Sequence, residues 1–173
     1  MATATTSKNE ELLVDWLRDA HAMEKHAEQV LSNTASRIEN YPELKTQIER
    51  HLQETRRQAD LVRRCLERHN GSTSTVKDTA GRVMGFAQAM SGLFVEDEIV
   101  KGSMGSYVFE AMEIAAYKSL IAAADVCGDQ ETKRVCESIL REEEAMAHWL
   151  DEHLPGITRK YLARAEQNMT AKQ

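Results

Sequence analysis

Aromatic residues are scarce in this chain, at 5% of 173 residues, and only two prolines are present. Alternating runs of Val, Ile and Thr are equally hard to find, which excludes an ordinary β-sandwich or barrel and leaves an all-α class. No apolar run approaches the roughly 18 residues that a membrane-spanning helix needs. The segment Met1 to Asn9 lacks the basic and apolar regions of a secretory leader. A cytoplasmic protein without a membrane partner is expected. Basic residues are outnumbered, 22 to 28, giving a net charge of -6, so the clustered Lys and Arg of a nucleic-acid surface are missing. The three cysteines, Cys65, Cys127 and Cys136, are odd in number, lie in helical pattern and show no C-x-x-C spacing. They read as buried thiols in a reducing compartment.

What is present is helix. One domain is expected over residues 10–168, between flexible tails at 1–9 and 169–173. Helix 1 is predicted from just after Ser7 to Asn9 as far as Asn40 and Tyr41, where Pro42 turns the chain away from helical geometry. Its seam is Leu13, Leu17, Ala20, Glu24, Ala27, Leu31, Thr34 and Ile38, in steps of three and four. Helix 2 takes Pro42 in its first turn and runs to about His69, with a strip of Leu44, Ile48, His51, Glu54 or Thr55, Gln58, Val62 and Cys65. A glycine-interrupted stretch follows, with a short helix predicted over Val76 to Met90; its length suits a crossover better than a tight turn. Helix 3 is predicted over about Ser103 to Cys127. Helix 4 is placed from about Gln130 to His153, ended by Pro155 and Gly156, with a separate final helix over Ile157 to Asn168. Two hairpins joined by a long link predict a four-helix bundle.

The seams carry charge where apolar residues belong. Ala22-Met23-Glu24 recurs as Ala111-Met112-Glu113, an offset of 89 that also lays Ala27 on Ala116 and Leu31 on Leu120. Helix 3 offers Glu110 and Glu113 on one stripe with Tyr117, Leu120 and Ala124; helix 2 offers Glu54 and Gln58; helix 4 offers Glu144 and His148. An uncompensated buried charge is costly, and each of four helices supplies one near its middle. Two divalent cations held by Glu24, Glu54, Glu110, Glu113, Glu144 and His148 would provide the compensation. Gln58 stands where a second imidazole is expected, and His51, three residues before Glu54, is a further candidate ligand. Glu143 competes with Glu144: apolar Ile139, Leu140, Met146 and Ala147 favour Glu143, whereas the absence of a donor three or four residues beyond it favours Glu144. Tyr117 is core packing or a hydrogen-bond donor to metal-bound oxygen. The alternative is a structural charge cluster neutralised by Lys25, Arg56, Arg57 and Arg141.

Four stretches, Asp19 to Lys25, His51 to Thr55, Phe109 to Tyr117 with its E-x-x-E-I-A-x-Y, and Leu140 to Glu144, resemble the YciE and YciF-like branch of the ferritin-like superfamily. The resemblance covers about Leu12 to Leu154. It implies a ferritin-like bundle with a di-iron or di-manganese centre, and carries ligand roles onto Glu24, Glu54, Glu113 and Glu144, with Glu110 and His148 beside them. Two features depart: the superfamily more often has Glu and His three apart on helices 2 and 4, whereas here Glu54 and Gln58, and Glu144 and His148, are four apart, and Ala111 replaces a His common in the family. The resemblance settles no activity; with two redox metals in place, the expected chemistry is a stress-associated, catalase-like or peroxidase-like oxidoreductase acting on oxygen or peroxide, and a homodimer is expected from the class. The alternatives are an iron-storing cage and a non-catalytic helical protein with a vestigial site.

Overall fold

The structure, a computed structural model, describes residues 7–69 and 99–167. Four helices account for nearly all of them: α1 (Lys8–Arg37), α2 (Pro42–Arg68), α3 (Ile99–Val126) and α4 (Gln130–Glu166). The short helix expected over Val76 to Met90 lies outside the described residues, as do residues 1–6 and 168–173.

Local chemistry sets the helix ends. Ser7 opens α1 with a reciprocal cap: the Glu10 N–H donates to Ser7 Oγ at 3.2 Å, and the Ser7 N–H donates to Glu10 Oε2 at 2.8 Å. Helix therefore begins at Lys8, inside the expected tail. Between α3 and α4, Gly128 adopts φ +71, a left-handed conformation that an L side chain resists. Asp129 then caps α4 by accepting from the Thr132 N–H at 3.0 Å. The same carboxylate accepts from Arg68 at 2.6 Å and lies 2.7 Å from His69 Nε2, which ties the end of α2 to the start of α4.

One boundary differs from expectation. α4 runs unbroken through Pro155, so the separate C-terminal helix is its continuation. Proline removes one backbone hydrogen bond and crowds the preceding turn. Packing beyond it holds the helix: Ile157 is buried in the same apolar cluster as Leu31, Ile38, Tyr41 and Leu44, Tyr161 packs against that cluster, and the Lys160 ammonium sits 5.0 Å from the centre of the Tyr41 ring.

α1 packs along α2 and α3 along α4, and the two hairpins close on each other through α1 with α3 and α2 with α4. Two apolar cores result. One gathers Leu13, Leu17, Val62, Leu66, Leu120, Ala124, Cys136 and Ile139; the other gathers Leu31, Ile38, Leu44, Ile48, Met146 and Leu150. Between them lies a layer of buried polar side chains. Among the described residues no helix is long and apolar enough to cross a membrane.

Candidate metal centre

That layer contains Glu24 from α1, His51 and Gln58 from α2, Glu110 and Glu113 from α3, and Glu143 from α4, each no more than 2% exposed. Helical periodicity puts them there. Glu24 continues the seam of Leu17 and Ala20, Glu113 lies one turn before Tyr117, and Glu143 continues the stripe of Thr132, Cys136 and Ile139 towards Met146.

His51, Glu110, Glu113 and Glu143 each bring one donor atom into a group whose members all lie within 4.8 Å of one another. His51 Nε2 is 3.4 Å from Glu110 Oε2 and 3.4 Å from Glu143 Oε2. The other ring nitrogen, Nδ1, is 3.2 Å from Glu54 Oε2, and Glu54 is also paired with Arg50. Glu24 Oε1 accepts a short hydrogen bond from the Tyr117 hydroxyl. Gln58 Nε2 donates to Glu143 Oε1 at 2.6 Å and to Glu142 Oε2 at 2.9 Å. Four buried acceptors lack a well-formed hydrogen bond: Glu24 Oε2 and Gln58 Oε1, and, with only the 3.4 Å approach of His51 Nε2 beside them, Glu110 Oε2 and Glu143 Oε2. Orphaned buried oxygens are rare in folded proteins and oppose folding.

The electrostatics follow from that crowding. Burial lifts the Glu24 carboxyl from an ordinary 4.5 to about 8, opposed by the Tyr117 hydrogen bond and the His51 charge and aided by Glu110 and Glu142. Burial likewise holds Glu113 well above the carboxylate range, reinforced by Glu143, Glu24 and Glu110. Glu143 is raised by burial and then by Glu110, against His51. For His51, burial disfavours the charged ring, yet the Glu110 charge and hydrogen bonds to Glu110 and Glu54 outweigh it and hold the imidazole well above 6.5. Burial and Glu24 together push the Tyr117 phenol well above 10.

Several expected ligands are elsewhere. The Glu144 side chain is 47% exposed and pairs with Lys118 at 3.2 Å, and His148 is 71% exposed, 3.5 Å from Glu152. Neither faces the interior, because both lie on a stripe of α4 adjacent to the buried one. Glu143 takes the inward position. Glu54 sits at the rim, outside the group of four, and touches it only through the back of the His51 ring. The bases that could have neutralised a structural cluster look outward: Lys25 and Arg56 pair with Glu28, and Arg57 with Glu142. His51 is central rather than peripheral, which its place in the seam of Leu44 and Ile48 already signalled.

Residues 8–163 match the family described as a domain of unknown function, DUF892. The chain belongs to the DUF892 family. A protein of known crystal structure from Xanthomonas campestris pv. campestris is 44% identical over 92% of this chain and 99% of that one, with a TM-score of 0.79. The E. coli stress protein YciF is 21% identical over 90% of this chain and 99% of its own, at a TM-score of 0.76. A dodecameric thioferritin, the bacterioferritin-related protein of Bacteroides fragilis, is 18% identical over 87% and 88%, at 0.68. These last two share the ferritin-like bundle fold with this family member.

Proposed function

We propose that this chain binds two divalent cations, iron or manganese, in the acidic layer of its bundle and acts as an oxidoreductase on oxygen or peroxide. The observation that carries the reading is the convergence of His51, Glu110, Glu113 and Glu143 donor atoms within 4.8 Å of one another, with under-bonded buried oxygens on Glu110 and Glu143 and, in the same polar layer, on Glu24 and Gln58. Four buried carboxylates balance the charge of two divalent ions. Three carboxylates and an imidazole form a donor set of oxygen and nitrogen that suits iron and manganese, and the thiols that would favour softer metals lie in or against the core of Leu13, Leu17, Val62 and Leu66. The residues present therefore fit the group.

His51, Glu110, Glu113 and Glu143 would supply the first set of ligand atoms, with Glu24 Oε2 and Gln58 Oε1 available beside them. Iron or manganese bound there supplies one-electron chemistry towards oxygen or peroxide. The protein's own groups prepare the site. Glu54 Oε2, 3.2 Å from His51 Nδ1, is placed to accept the proton on that nitrogen, which would leave Nε2 as the inward ligand atom once the ring gives up its second proton. Tyr117 orients Glu24 through one oxygen and leaves the other free. The raised carboxyls of Glu24, Glu113 and Glu143 hold protons in the ion-free protein and release them on loading. The apolar cores on both sides exclude bulk water.

The test is metal analysis of chelator-washed protein reloaded anaerobically with Fe(II) or Mn(II), followed by peroxide consumption. About two ions per chain with turnover of peroxide supports the reading; less than about a tenth of an ion per chain overturns it. Two ions without turnover would leave binding and remove the oxidoreductase assignment. Elution as a very large particle that accumulates iron would favour storage instead.

A further inference from the structure

The six side chains of the centre are closed off from solvent, so an ion has to be handed inward by something that reaches both. Among the described residues two acids do so: Glu54 and Glu142, with side chains 21% and 22% exposed. They lead to different places. Glu54 ends against Nδ1 of His51, and a cation captured there would face the back of a ligand ring. Glu142, on α4, is hydrogen-bonded across to a single amide on α2.

That amide is Gln58. Its Nε2 donates to Glu142 Oε2 at 2.9 Å and to Glu143 Oε1 at 2.6 Å, so one group spans a carboxylate that reaches solvent and a carboxylate that does not. The other oxygen of Glu142 is held by the exposed Arg57. Two carboxylate neighbours fix the amide's orientation, since only its nitrogen can donate to them. Gln58 Oε1 is consequently the pole without a partner, in a side chain that is fully buried. With the ion absent, the amide hydrogens and Arg57 do what a cation would do for these acids. Rotation about the soft terminal torsion of the side chain presents a hard oxygen donor in place of the two hydrogens.

We infer, on the reading that the interior binds divalent cations, that Glu142 and Gln58 form the port through which they arrive: Glu142 takes up the cation in exchange for Arg57, and Gln58 turns its Oε1 towards it and releases Glu143 to receive it. Glu142 thus serves transfer rather than residence. A purely structural cross-link between α2 and α4 would have the same hydrogen bonds but would govern stability, not the rate of uptake.

The test follows Co(II) uptake by stopped-flow absorption in chelator-washed full-length protein. Glu142→Gln keeps the shape and one of the two hydrogen bonds that the carboxylate accepts; it should slow uptake about tenfold while leaving the final ions per chain unchanged, and Arg57→Ala should speed uptake. Glu144→Gln makes the same charge change one residue away on the outward stripe and should stay within about twofold of the unaltered protein. The port is refuted if Glu142→Gln leaves the rate within about twofold, if Glu144→Gln slows it equally through diffuse attraction, or if Glu142→Gln loses ions at saturation, which would make Glu142 a resident ligand. Failure of the unaltered protein to take up Co(II) at all overturns the underlying metal reading and the port together.

Discussion

Raising the pH of the ion-free protein from 5 to 8 should destabilise it, the reverse of the usual behaviour of a protein rich in surface carboxylates. Glu24 titrates at 4.5 when unfolded and at about 8 when folded, so across that interval the folded chain holds a proton that unfolding releases. The contribution is complete below 4.5 and is lost as the pH rises through about 8. At about 1.4 kcal/mol per pH unit for one proton, Glu24 alone changes the balance between pH 5 and 8 by about 4 kcal/mol. Glu113 and Glu143 are displaced in the same direction. His51 adds the same sign, because a raised imidazole stabilises below 6.5 and stops doing so as the pH climbs through its folded value. Glu54 and Glu28 are lowered and work the other way, but their stabilisation is lost only as the pH falls below 4.5. His21 and His26, held below 6.5 by burial, oppose within the window, so the fall in stability rests on Glu24, Glu113, Glu143 and His51 outweighing those two imidazoles. Urea denaturation of chelator-treated protein at pH 5, 6.5 and 8 measures the slope. Adding Mn(II) should restore stability at pH 8 far more than at pH 5, since loading expels the same protons. Ion-free stability that is flat or rising between pH 5 and 8 would refute the reasoning.

Three further outcomes are expected. Glu113→Leu should remove ion uptake yet raise ion-free stability at pH 8 by about 1–4 kcal/mol in the same denaturation assay, because an acid without a counter-charge gives way to a side chain of similar volume. Tyr117→Phe strips Glu24 Oε1 of its donor and should cost about 1–3 kcal/mol, with Glu24 moving further upward; a thermal scan and a pH series detect both. Glu144→Ala and His148→Ala should change stability by no more than about 0.5 kcal/mol and leave ion stoichiometry as it was, measured by denaturation and metal analysis.

The bundle was legible because its seams repeat every three to four residues across α1 and α3, and the interior placement of Glu24, Glu110 and Glu113 followed from the same spacing. On α4 the reading went astray at one residue. Glu144 attracted attention because His148 stands four residues on, but a step of one residue turns the side chain about 100° around the helix, out of the buried stripe. A signal for Glu143 was available: the offset of 89 that lays Glu24 on Glu113 also lays Glu54 on Glu143. Pro155 misled for a different reason. Local chemistry favours a stop there, while the contacts of Ile157 and Tyr161 with distant residues make continuation worthwhile, and no short window of sequence contains those partners. His51 was hard to rank because an imidazole in a helix is ordinary; its importance comes from Glu110 and Glu143, which only the fold brings to it.

The acidic layer parts the bundle into an upper and a lower oily half that touch through groups with little reason to stay together unless charge is balanced. Each half can then loosen without the other, so amide exchange in starved protein should show two tiers of protection that merge into one when the seam is riveted by cations.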